Sequence, residues 1–382
     1  MSDTYRQCTR CILDQNDDPE MTFDDKGICS YCTSFDKEYA TYFAMTDEEK
    51  NKELHRLVEV MKADGKGRKY DCICGVSGGV DSSYLAAKAK EYGLRALLVH
   101  FDNGWNSELA VKNIEQICRY TGFDLFTYVV DWEEFKNLQL AYIKSGVLDW
   151  EVPTDHGLWA VILKKSKELG IKHILIGANY QTEGVLPKTM RYDKADLKNI
   201  KDIYKKFGSG KKFRSFPTYK FWSHMYMKLV WGLKLDSLLY FMEYNKEVSK
   251  KYLMDVVGWR DYGGKHYESI FTRFYQGYVL KEKFGYDKRK AHLASLICSG
   301  QITKQDSLLE LSKPAIDPAM LKEDLQFFIK KMGLSEIEFA RIMKSKPVPH
   351  ETFESYSTFE YPLFKKIIKN LLAVKNGLRS RK

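Results

Sequence analysis

A turn rich in serine and glycine follows an apolar segment at residues 74–83, which have the sequence CGVSGGVDSS. Where a strand passes into a helix through such a turn, backbone N–H groups and hydroxyls meet at one spot, and the helix N-terminus adds positive potential. Glycine lets the backbone approach a ligand closely. We therefore predict an anion site for phosphate rather than an accidental polar turn. Its expected residues are Ser77, Gly78, Gly79, Ser82 and Ser83, with Asp81 supporting the loop or a magnesium ion.

This turn is not a Walker phosphate loop, because the chain contains no G-x-x-x-x-G-K-[ST] pattern. Residues 208–212 (GSGKK) come nearest but have the wrong spacing. We interpret them as a basic flexible loop.

Four cysteines near the start of the chain form two CxxC pairs, Cys8 with Cys11 and Cys29 with Cys32, with seventeen residues between the pairs. Four thiolates complete a tetrahedron of soft ligands around zinc. Because all four ligands would be protein sulfur, we predict a structural zinc and not a catalytic one. Disulfides or free thiols are one alternative, which a reducing cytoplasm disfavours. An iron–sulfur cluster is another.

The composition is that of a soluble globular protein, since 44% of the 382 residues are hydrophobic and 29% are charged. The length suits two domains with a small extra module. The first fifteen residues lack the apolar segment of a signal peptide, so we expect a cytoplasmic protein. The aromatic-rich window 221–242 is interrupted by charges, and we predict a buried or interface helix there and no membrane span. The net charge of +10 suits anionic partners, although a solvated lysine surface is the simpler explanation.

Three sections are expected along the chain: a zinc-ribbon module at residues 1–45, an α/β section with the anion turn at 46–186, and a mostly helical substrate- or partner-binding region at 187–382. In the middle section, short β-rich runs alternate with helices. The strands are expected at 70–76, 95–101, 125–130 and 173–176. This alternation predicts an α/β fold with a doubly wound parallel sheet covered on both faces.

Polar loops follow two of the predicted strands, and both should lie at the carboxyl edge of the sheet, where open parallel sheets bind ligands. The second strand ends in the stretch 99–105 (VHFDNGW), and the other loop follows the fourth strand at 177–183 (GANYQTE). Glu183 either holds magnesium, orients the nucleophile, or is a solvated loop acid. On the first strand, Cys72 and Cys74 share one face and are expected to be buried apolar side chains.

The order of strand, SGGVDSS turn and helix resembles the PP-loop of the ATP pyrophosphatase superfamily, whose members include NAD synthetase, asparagine synthetase and tRNA thiolases. The resemblance implies ATP cleavage between the α- and β-phosphates. It also implies that adenine packs against Val99, His100 and Phe101, with Gly177 facing the same crevice. For the side chains of His100 and Phe101, an ordinary core position is the alternative.

A longer series of motifs resembles the N-acetyl sugar amidotransferases of the WbpG/PseA type. The series runs from the paired CxxC start through CGVSGGVDSS, VHFDNGWNS and IGANYQTEGVLP, and ends with the stretch 258–301. It spans most of the chain. The resemblance implies an enzyme that uses ATP and Mg²⁺ to convert the acetamido group of a UDP-linked N-acetylated sugar into an acetamidino group, as in lipopolysaccharide O-antigen or flagellin sugar biosynthesis.

The implied reaction first adenylates the amide oxygen, because resonance makes an unactivated amide a poor electrophile. Ammonia then adds to the imidate, and AMP leaves. In such systems the ammonia comes from a separate HisH-like glutaminase with a HisF-like cyclase partner. The sequence agrees in one respect: Cys118 and Cys298 lack the nucleophile turn and His partner of a glutaminase. The ammonia is therefore expected from solution or from a partner.

The stretch 258–301 gathers charged groups among aromatic residues. They are Lys265, His266, Glu268, Arg273, Lys288 and Arg289. Arg and Lys suit the pyrophosphate of a sugar nucleotide or of ATP. We predict catalytic roles for Lys288 and Arg289 at a helix start, together with Asp81 and Glu183. Ordinary surface ion pairs are the alternative.

Two other functions remain open from the sequence. A PP-loop tRNA thiolase would share the anion turn, often has a cysteine ribbon, and would use a basic surface. Sulfur transfer usually needs a reactive cysteine pair or a cluster, however, and no second CxxC follows the core. The other alternative is a non-enzymatic zinc-ribbon protein that binds nucleic acid, and the intact anion turn argues against it. Nucleic acid is therefore not the expected partner.

Overall fold

The computed structural model describes residues 5–209, 212–264 and 267–367, and a parallel five-stranded sheet lies at its centre. Its strands lie in the order β3-β2-β1-β4-β5. They are β1 (Cys72–Gly75), β2 (Ala96–Asp102), β3 (Asp124–Val129), β4 (His173–Leu175) and β5 (Lys234–Asp236). The chain runs outward from β1 to β3 and then restarts on the other side of β1 with β4. This doubly wound order confirms the predicted fold class and makes the β1–β4 boundary its switch point.

Helices cover both faces of the sheet and make up most of the C-terminal part. Up to residue 207 they are α1 (Ser30–Ala44), α2 (Asp47–Asp64), α3 (Val80–Glu91), α4 (Glu108–Thr121), α5 (Trp132–Ser145), α6 (Val152–Leu169), α7 (Tyr180–Glu183) and α8 (Leu197–Phe207). Beyond it they are α9 (Phe221–Tyr226), α10 (Lys246–Tyr252), α11 (Ile270–Phe274), α12 (Leu280–Phe284), α13 (Lys288–Cys298), α14 (Lys304–Ser312), α15 (Pro318–Met332) and α16 (Glu336–Lys344). Among the described helices, none is long and apolar enough to cross a membrane.

Shorter helical turns complete the chain. Single 3₁₀ turns lie at Lys188–Met190, Leu238–Phe241 and His350–Thr352. Turns of π-helix follow α9, α10 and α11, at Met227–Trp231, Leu253–Val257 and Tyr275–Val279. The last of these joins α11 to α12 in one continuous helix.

Two hydrophobic cores lie on opposite faces of the sheet, because successive side chains of a strand point to opposite sides. Ile73 and Val99 belong to one core, and Cys72, Cys74 and Leu98 belong to the other. Strands buried on both faces are the rule in parallel sheets covered by helices. The expectation that Cys72 and Cys74 are buried on one face is confirmed.

Local sequence signals set several helix ends near the sheet. Thr46 and Glu49 form a capping box at the start of α2. Helix α4 begins where the Ser107 hydroxyl accepts the N–H of Ala110, and it ends at Gly122 with φ 70°. The left-handed conformation of such a C-cap favours glycine. These caps fix the helix that packs behind the anion turn.

The window 221–242 is not the single buried or interface helix that was predicted. Gly232, with φ 83°, ends the helical part, and the chain continues as β5, which pairs with β4. Leu229 and Val230 are exposed at 61% and 70%. The edge strand β5 has only three residues, which are too few to show the alternation of a strand within this aromatic-rich window. The sheet thus takes its fifth strand from beyond the section 46–186.

Candidate active site and metal centre

The anion turn lies at the carboxyl end of β1, at the switch point of the sheet. Ser82 Oγ lies 3.3 Å from both the backbone N and the Oγ of Ser77, and the N–H of Gly79 donates to Ser77 Oγ at 3.3 Å. Gly79 is the N-cap residue of α3, and a glycine has no side chain to occupy the first-turn N–H groups of that helix. The turn therefore has the donors and the helix end that a phosphate site requires.

Residues from the C-terminal part hold this turn in place. The carbonyl of Gly78 accepts hydrogen bonds from Trp259 Nε1 at 2.9 Å and from Asn113 Nδ2 at 3.4 Å. Asn113 Oδ1 accepts the N–H of Arg260 at 2.8 Å, and the N–H of Val80 donates to Tyr262 OH at 3.2 Å. No local sequence signal marks these supporting roles, although Trp259, Arg260 and Tyr262 lie in the stretch 258–301.

Two glycines are required by close packing around the turn. Gly78 has φ 79°, and a Cβ there would lie 2.9 Å from Ala110 Cα. A Cβ at Gly177, which follows β4, would lie 3.3 Å from the Cβ of Asp81. The loops after β1 and β4 therefore touch, as the prediction of a shared crevice requires.

A small cavity of about 180 Å³ lies directly against the turn. Predicted residues from distant parts of the sequence line it: Ser77, Gly79, Asp81, Ser82, Gly177 and Glu183. Glu268 and Lys246 line it as well. Asp81 accepts a hydrogen bond from the hydroxyl of Tyr244, and burial together with this carboxylate raises the pKa of Tyr244. Carboxylates and hydroxyls beside a phosphate site are the ligands that Mg²⁺ prefers.

The structure places Ser83 differently from its neighbours. Its side chain is 1% exposed, and its Oγ has no hydrogen-bond partner within the described residues. Ser82, in contrast, lines the small cavity and bonds to the turn. The hydroxyls of the turn are therefore not equivalent.

A central cleft of about 430 Å³ continues from the turn along the carboxyl edge of β1, β2 and β4. Ser77, Ser82, His100, Phe101 and Gly177 line it. A cleft of this size at a switch point suits a small ligand such as a nucleotide.

The three β2 residues predicted to contact adenine differ in position. Val99 is fully buried in the core. Phe101 lines the cleft but also stacks on Tyr128, with a ring separation of 5.8 Å. His100 lies with Nδ1 2.9 Å from the carbonyl of Val76 and Nε2 3.0 Å from Asn106 Nδ2. Burial lowers the pKa of His100, so a neutral ring donates through Nδ1 and accepts through Nε2.

Two further chambers share lining residues with the central cleft. The C-terminal chamber, of about 350 Å³, is lined by residues that include Glu183, Tyr267, Thr272, Gln276, Lys288 and His292. The side chamber, of about 300 Å³, is lined by residues that include Asp149, Glu151, Tyr192, Lys194, Gln276 and Lys288. Thr272 and Gln276 also line the central cleft, so the spaces adjoin one another. No local sequence signal marks Glu151, Thr272 or Gln276, because single polar residues in helices have no spacing that indicates a site.

The charged side chains of the stretch 258–301, which were predicted to act together, lie in different environments. Lys288 lines both chambers. Arg289 forms an ion pair with Asp287 at 2.7 Å and donates to the carbonyls of Glu310 and Lys313 at 3.2 and 2.8 Å. These contacts hold the guanidinium against the end of α14, away from the anion turn, although Arg289 borders the C-terminal chamber. The ion pair with Asp287 matches the alternative prediction for Arg289, which was an ordinary ion pair.

Arg273 and Glu268, which belong to the same stretch, also lie in different environments. Arg273 makes a two-pronged ion pair with Asp324, at 2.7 and 2.6 Å. Glu268 lies at the anion turn, where a Cβ on Gly79 would be 3.1 Å from its Oε1. Lys265 and His266 lie outside the described residues. Glu268 thus lines the small cavity and the central cleft, whereas Arg273, Lys288 and Arg289 line the C-terminal chamber.

The four N-terminal cysteines converge, with all four sulfur atoms within 4.8 Å of one another. The separations are 3.9 Å for Cys8–Cys32 and 3.7 Å for both Cys11–Cys29 and Cys29–Cys32. A tetrahedron with metal–sulfur bonds of about 2.3 Å has edges of about 3.8 Å, whereas a disulfide needs about 2.05 Å. The four sulfurs leave room for a single ion, and their spacing fits zinc.

The four-cysteine cluster packs against α13, whose other end borders the C-terminal chamber. Cys298, at the end of α13, lies 3.6 Å from Cys32. Lys290 donates to Asp14 and Asp17 of the N-terminal module at 2.8 and 3.0 Å. The N-terminal module thus braces the helix that carries Lys288 and His292, which is a structural role.

The C-terminal part of the chain matches a known protein family. Residues 268–368 match the family described as "LPS biosynthesis protein WbpG-like, C-terminal domain". Over 328 residues the chain is 23% identical to an uncharacterized protein of Methanocaldococcus jannaschii, covering 84% of this chain and 98% of that protein.

Solved structures resemble the chain over most of its length but at low scores. An NMN synthetase from Francisella tularensis is 13% identical, with 80% of this chain and 99% of the other covered and a TM-score of 0.36. A U34-tRNA thiolase from Methanococcus maripaludis, with its [4Fe-4S] cluster, is 15% identical, with 82% and 95% covered and a TM-score of 0.34. Such scores do not decide the details of the site. The chain is therefore a doubly wound α/β protein whose residues 268–368 match the WbpG-like C-terminal domain family.

Proposed function

We propose that the protein is an ATP-dependent N-acetyl sugar amidotransferase, which converts an acetamido group of a nucleotide-linked sugar into an acetamidino group. One observation carries the proposal. The region that matches the WbpG-like family contributes Glu268, Thr272, Gln276 and Lys288 to the walls of the cavities around the anion turn. Nucleotide and acceptor would therefore meet where the two parts of the chain adjoin.

In this proposal the anion turn holds the ATP phosphates. The hydroxyls of Ser77 and Ser82 and the N–H groups that follow Val80 in the first turn of α3 bind the pyrophosphate that is to leave. The adenosine lies in the central cleft near His100. Mg²⁺, if held by Asp81, Glu183 and Glu268, would neutralise phosphate charge there. The cradle binds the leaving pyrophosphate more strongly as its charge develops, which lowers the barrier to adenylation.

The acceptor sugar would occupy the C-terminal chamber, with its acetamido group directed towards the central cleft. Lys288 carries a positive charge that suits the diphosphate of a nucleotide-linked sugar. The amide oxygen attacks the α-phosphorus of ATP, and pyrophosphate leaves. The product is an O-adenylated imidate, in which AMP is a good leaving group and the carbon is electrophilic. Ammonia then replaces AMP.

Ammonia is proposed to come from a separate HisH-like glutaminase with a HisF-like partner. Cysteine placement supports an external source. Among the described residues, Cys72 and Cys74 are buried in β1, where burial raises the pKa of each thiol. Cys118 lies in α4 with its pKa also raised by burial, and Cys298 lies at the metal centre. None of these settings supplies a reactive thiolate, which argues equally against a thiolase that uses its own cysteines.

Product analysis tests the proposal. The purified protein is incubated with ATP, Mg²⁺, ammonium and a panel of UDP-linked acetamido sugars, and AMP, ADP and sugar masses are followed. We expect AMP together with the small mass decrease that replaces oxygen by NH. AMP formed only with tRNA would instead indicate a thiolase. An absence of AMP with every substrate, combined with zinc-dependent RNA binding, would refute an enzymatic function.

Two adjacent serines provide a matched pair of variants for this assay. Ser82→Ala removes a hydroxyl that lines the cavity at the turn, and we expect AMP formation to fall about tenfold or more, as for the loss of a hydrogen bond to a charged group. Ser83→Ala removes a hydroxyl that is buried away from the cavity, and AMP formation should stay near the wild-type rate. Equal losses would contradict the assignment of Ser82 to the phosphate site.

A further inference from the structure

Glu151 lies where the central cleft and the side chamber meet. It lines both spaces, immediately before the first turn of α6. Gln276 lines these two spaces and the C-terminal chamber as well. A group at this junction can reach a ligand in the cleft and a small molecule that arrives through the side chamber.

The carboxylate of Glu151 is held by two side chains from one helix. Thr272 Oγ1 donates to Oε1 at 2.6 Å, and Gln276 Nε2 donates to Oε2 at 2.7 Å. Gln276 lies in the π-helical turn Tyr275–Val279, and insertions of this kind often occur at functional sites. Each carboxylate oxygen thus has one fixed donor and can accept a further hydrogen bond.

The charges around Glu151 favour a carboxyl group that exchanges a proton. Burial raises its pKa, and Lys194 opposes this effect while Asp149 and Asp155 reinforce it. Lys194 is itself held by Asp149 at 3.4 Å and by Asp155. Arg191 and Lys288 are the other charged groups that line the side chamber. A base works best when its pKa lies near the working pH, so this shift suits a proton acceptor.

We propose that Glu151 is the base that takes a proton from the incoming ammonia, and that the side chamber is the route by which ammonia reaches the imidate. This inference rests on the proposed amidotransferase function. In the step, the ammonia nitrogen forms a bond to the imidate carbon. The bond from that carbon to the AMP oxygen breaks, and its electron pair leaves with AMP. One N–H proton passes from the added ammonia to the Glu151 carboxylate. The imidate still carries the proton of the amide nitrogen, so the product that remains is the amidinium ion.

The experiment separates adenylation from ammonia addition in Glu151→Gln. Exchange of labelled pyrophosphate into ATP, dependent on the acetamido sugar and without ammonium, reports adenylation alone. We expect this exchange to stay within about twofold of wild type, whereas amidine formation falls about 10²–10⁴-fold, the usual contribution of a general base. At constant free ammonia, wild-type amidine formation should decline as pH falls through the raised pKa of Glu151, and the variant should lack this decline.

Glu168→Gln is the matched control, because it makes the same change at the exposed end of the same helix and should alter neither rate. Should Glu151→Gln fail to fold, Thr272→Val removes one donor to the carboxylate, and we expect amidine formation to fall about tenfold more than exchange does. Equal losses in both assays, or no loss in either, would overturn the role of Glu151. An absence of sugar-dependent exchange in the wild type would instead overturn the amidotransferase function, and this inference with it.

Discussion

Gly78→Ala tests whether the anion turn depends on its close contact with α4. The new Cβ would lie 2.9 Å from Ala110 Cα, and real Cβ atoms essentially never approach a neighbour within 3.0 Å. The turn cannot simply move away, since the Gly78 carbonyl is held by Trp259. Gly78 also has φ 79°. The left-handed conformation costs an alanine about 1–2 kcal/mol, and overpacking adds about 1–3 kcal/mol. We expect the free energy of unfolding to fall by roughly 2–5 kcal/mol.

Gly122→Ala is the control for the conformational part of this cost. Gly122 ends α4 with φ 70°, and a Cβ there would meet no atom within 4 Å. It should lose only about 1–2 kcal/mol and bind ATP as the wild type does. The stabilities are compared by urea unfolding and the affinities by ATP titration, in which Gly78→Ala should lose about tenfold or more. The reasoning is refuted if Gly78→Ala costs no more than Gly122→Ala and retains full affinity for ATP.

Two further predictions concern the four-cysteine cluster and Asp64, which bonds to the first residues of β4 and β5. Cys11→Ser should lose its bound metal in elemental analysis, whereas Cys298→Ser should keep it, because Cys298 contacts Cys32 from outside the four-sulfur group; equal loss in both variants would count against a four-cysteine site. Hydrogen bonds from His173, at 2.9 Å, and from Lys234, at 3.0 Å, hold the pKa of Asp64 at about 2. A lowered carboxyl pKa stabilises the fold above its unfolded value near 4 and loses that effect as pH falls through about 2. The difference in unfolding free energy between wild type and Asp64→Asn should therefore shrink between about pH 4 and about pH 2, and a pH-independent difference would contradict it.

Most of the sheet could be predicted from the sequence, because β1, β2 and β4 are short apolar runs followed by glycine or polar loops. Parallel strands bring such loops to one edge, so Ser77 and Gly177 could be expected together before any coordinates. The pairing of β5 could not be foreseen, since three residues carry no period and lie within a window of aromatic residues. The cysteine pairs could be recognised because CxxC spacing is a local signal.

The site was harder to predict where it depends on tertiary contacts. Ser82 and Ser83 are adjacent and chemically identical, yet only Ser82 lines the cavity, because successive helical residues point in different directions. Arg289 carried a suitable charge, but its donors are used by Asp287 and the end of α14. Glu151 gave no local signal, since its two donors come from a helix more than a hundred residues away.

The proposed reaction requires that the amide oxygen of the acceptor is adenylated at the anion turn. The most direct measurement uses an acceptor sugar whose acetamido carbonyl carries a heavy oxygen isotope. The sugar is incubated with the protein, ATP, Mg²⁺ and ammonium, and the AMP is analysed by mass spectrometry. We expect one labelled oxygen to appear in the phosphate of AMP for each amidine formed. AMP without label, or label in inorganic phosphate, would contradict it.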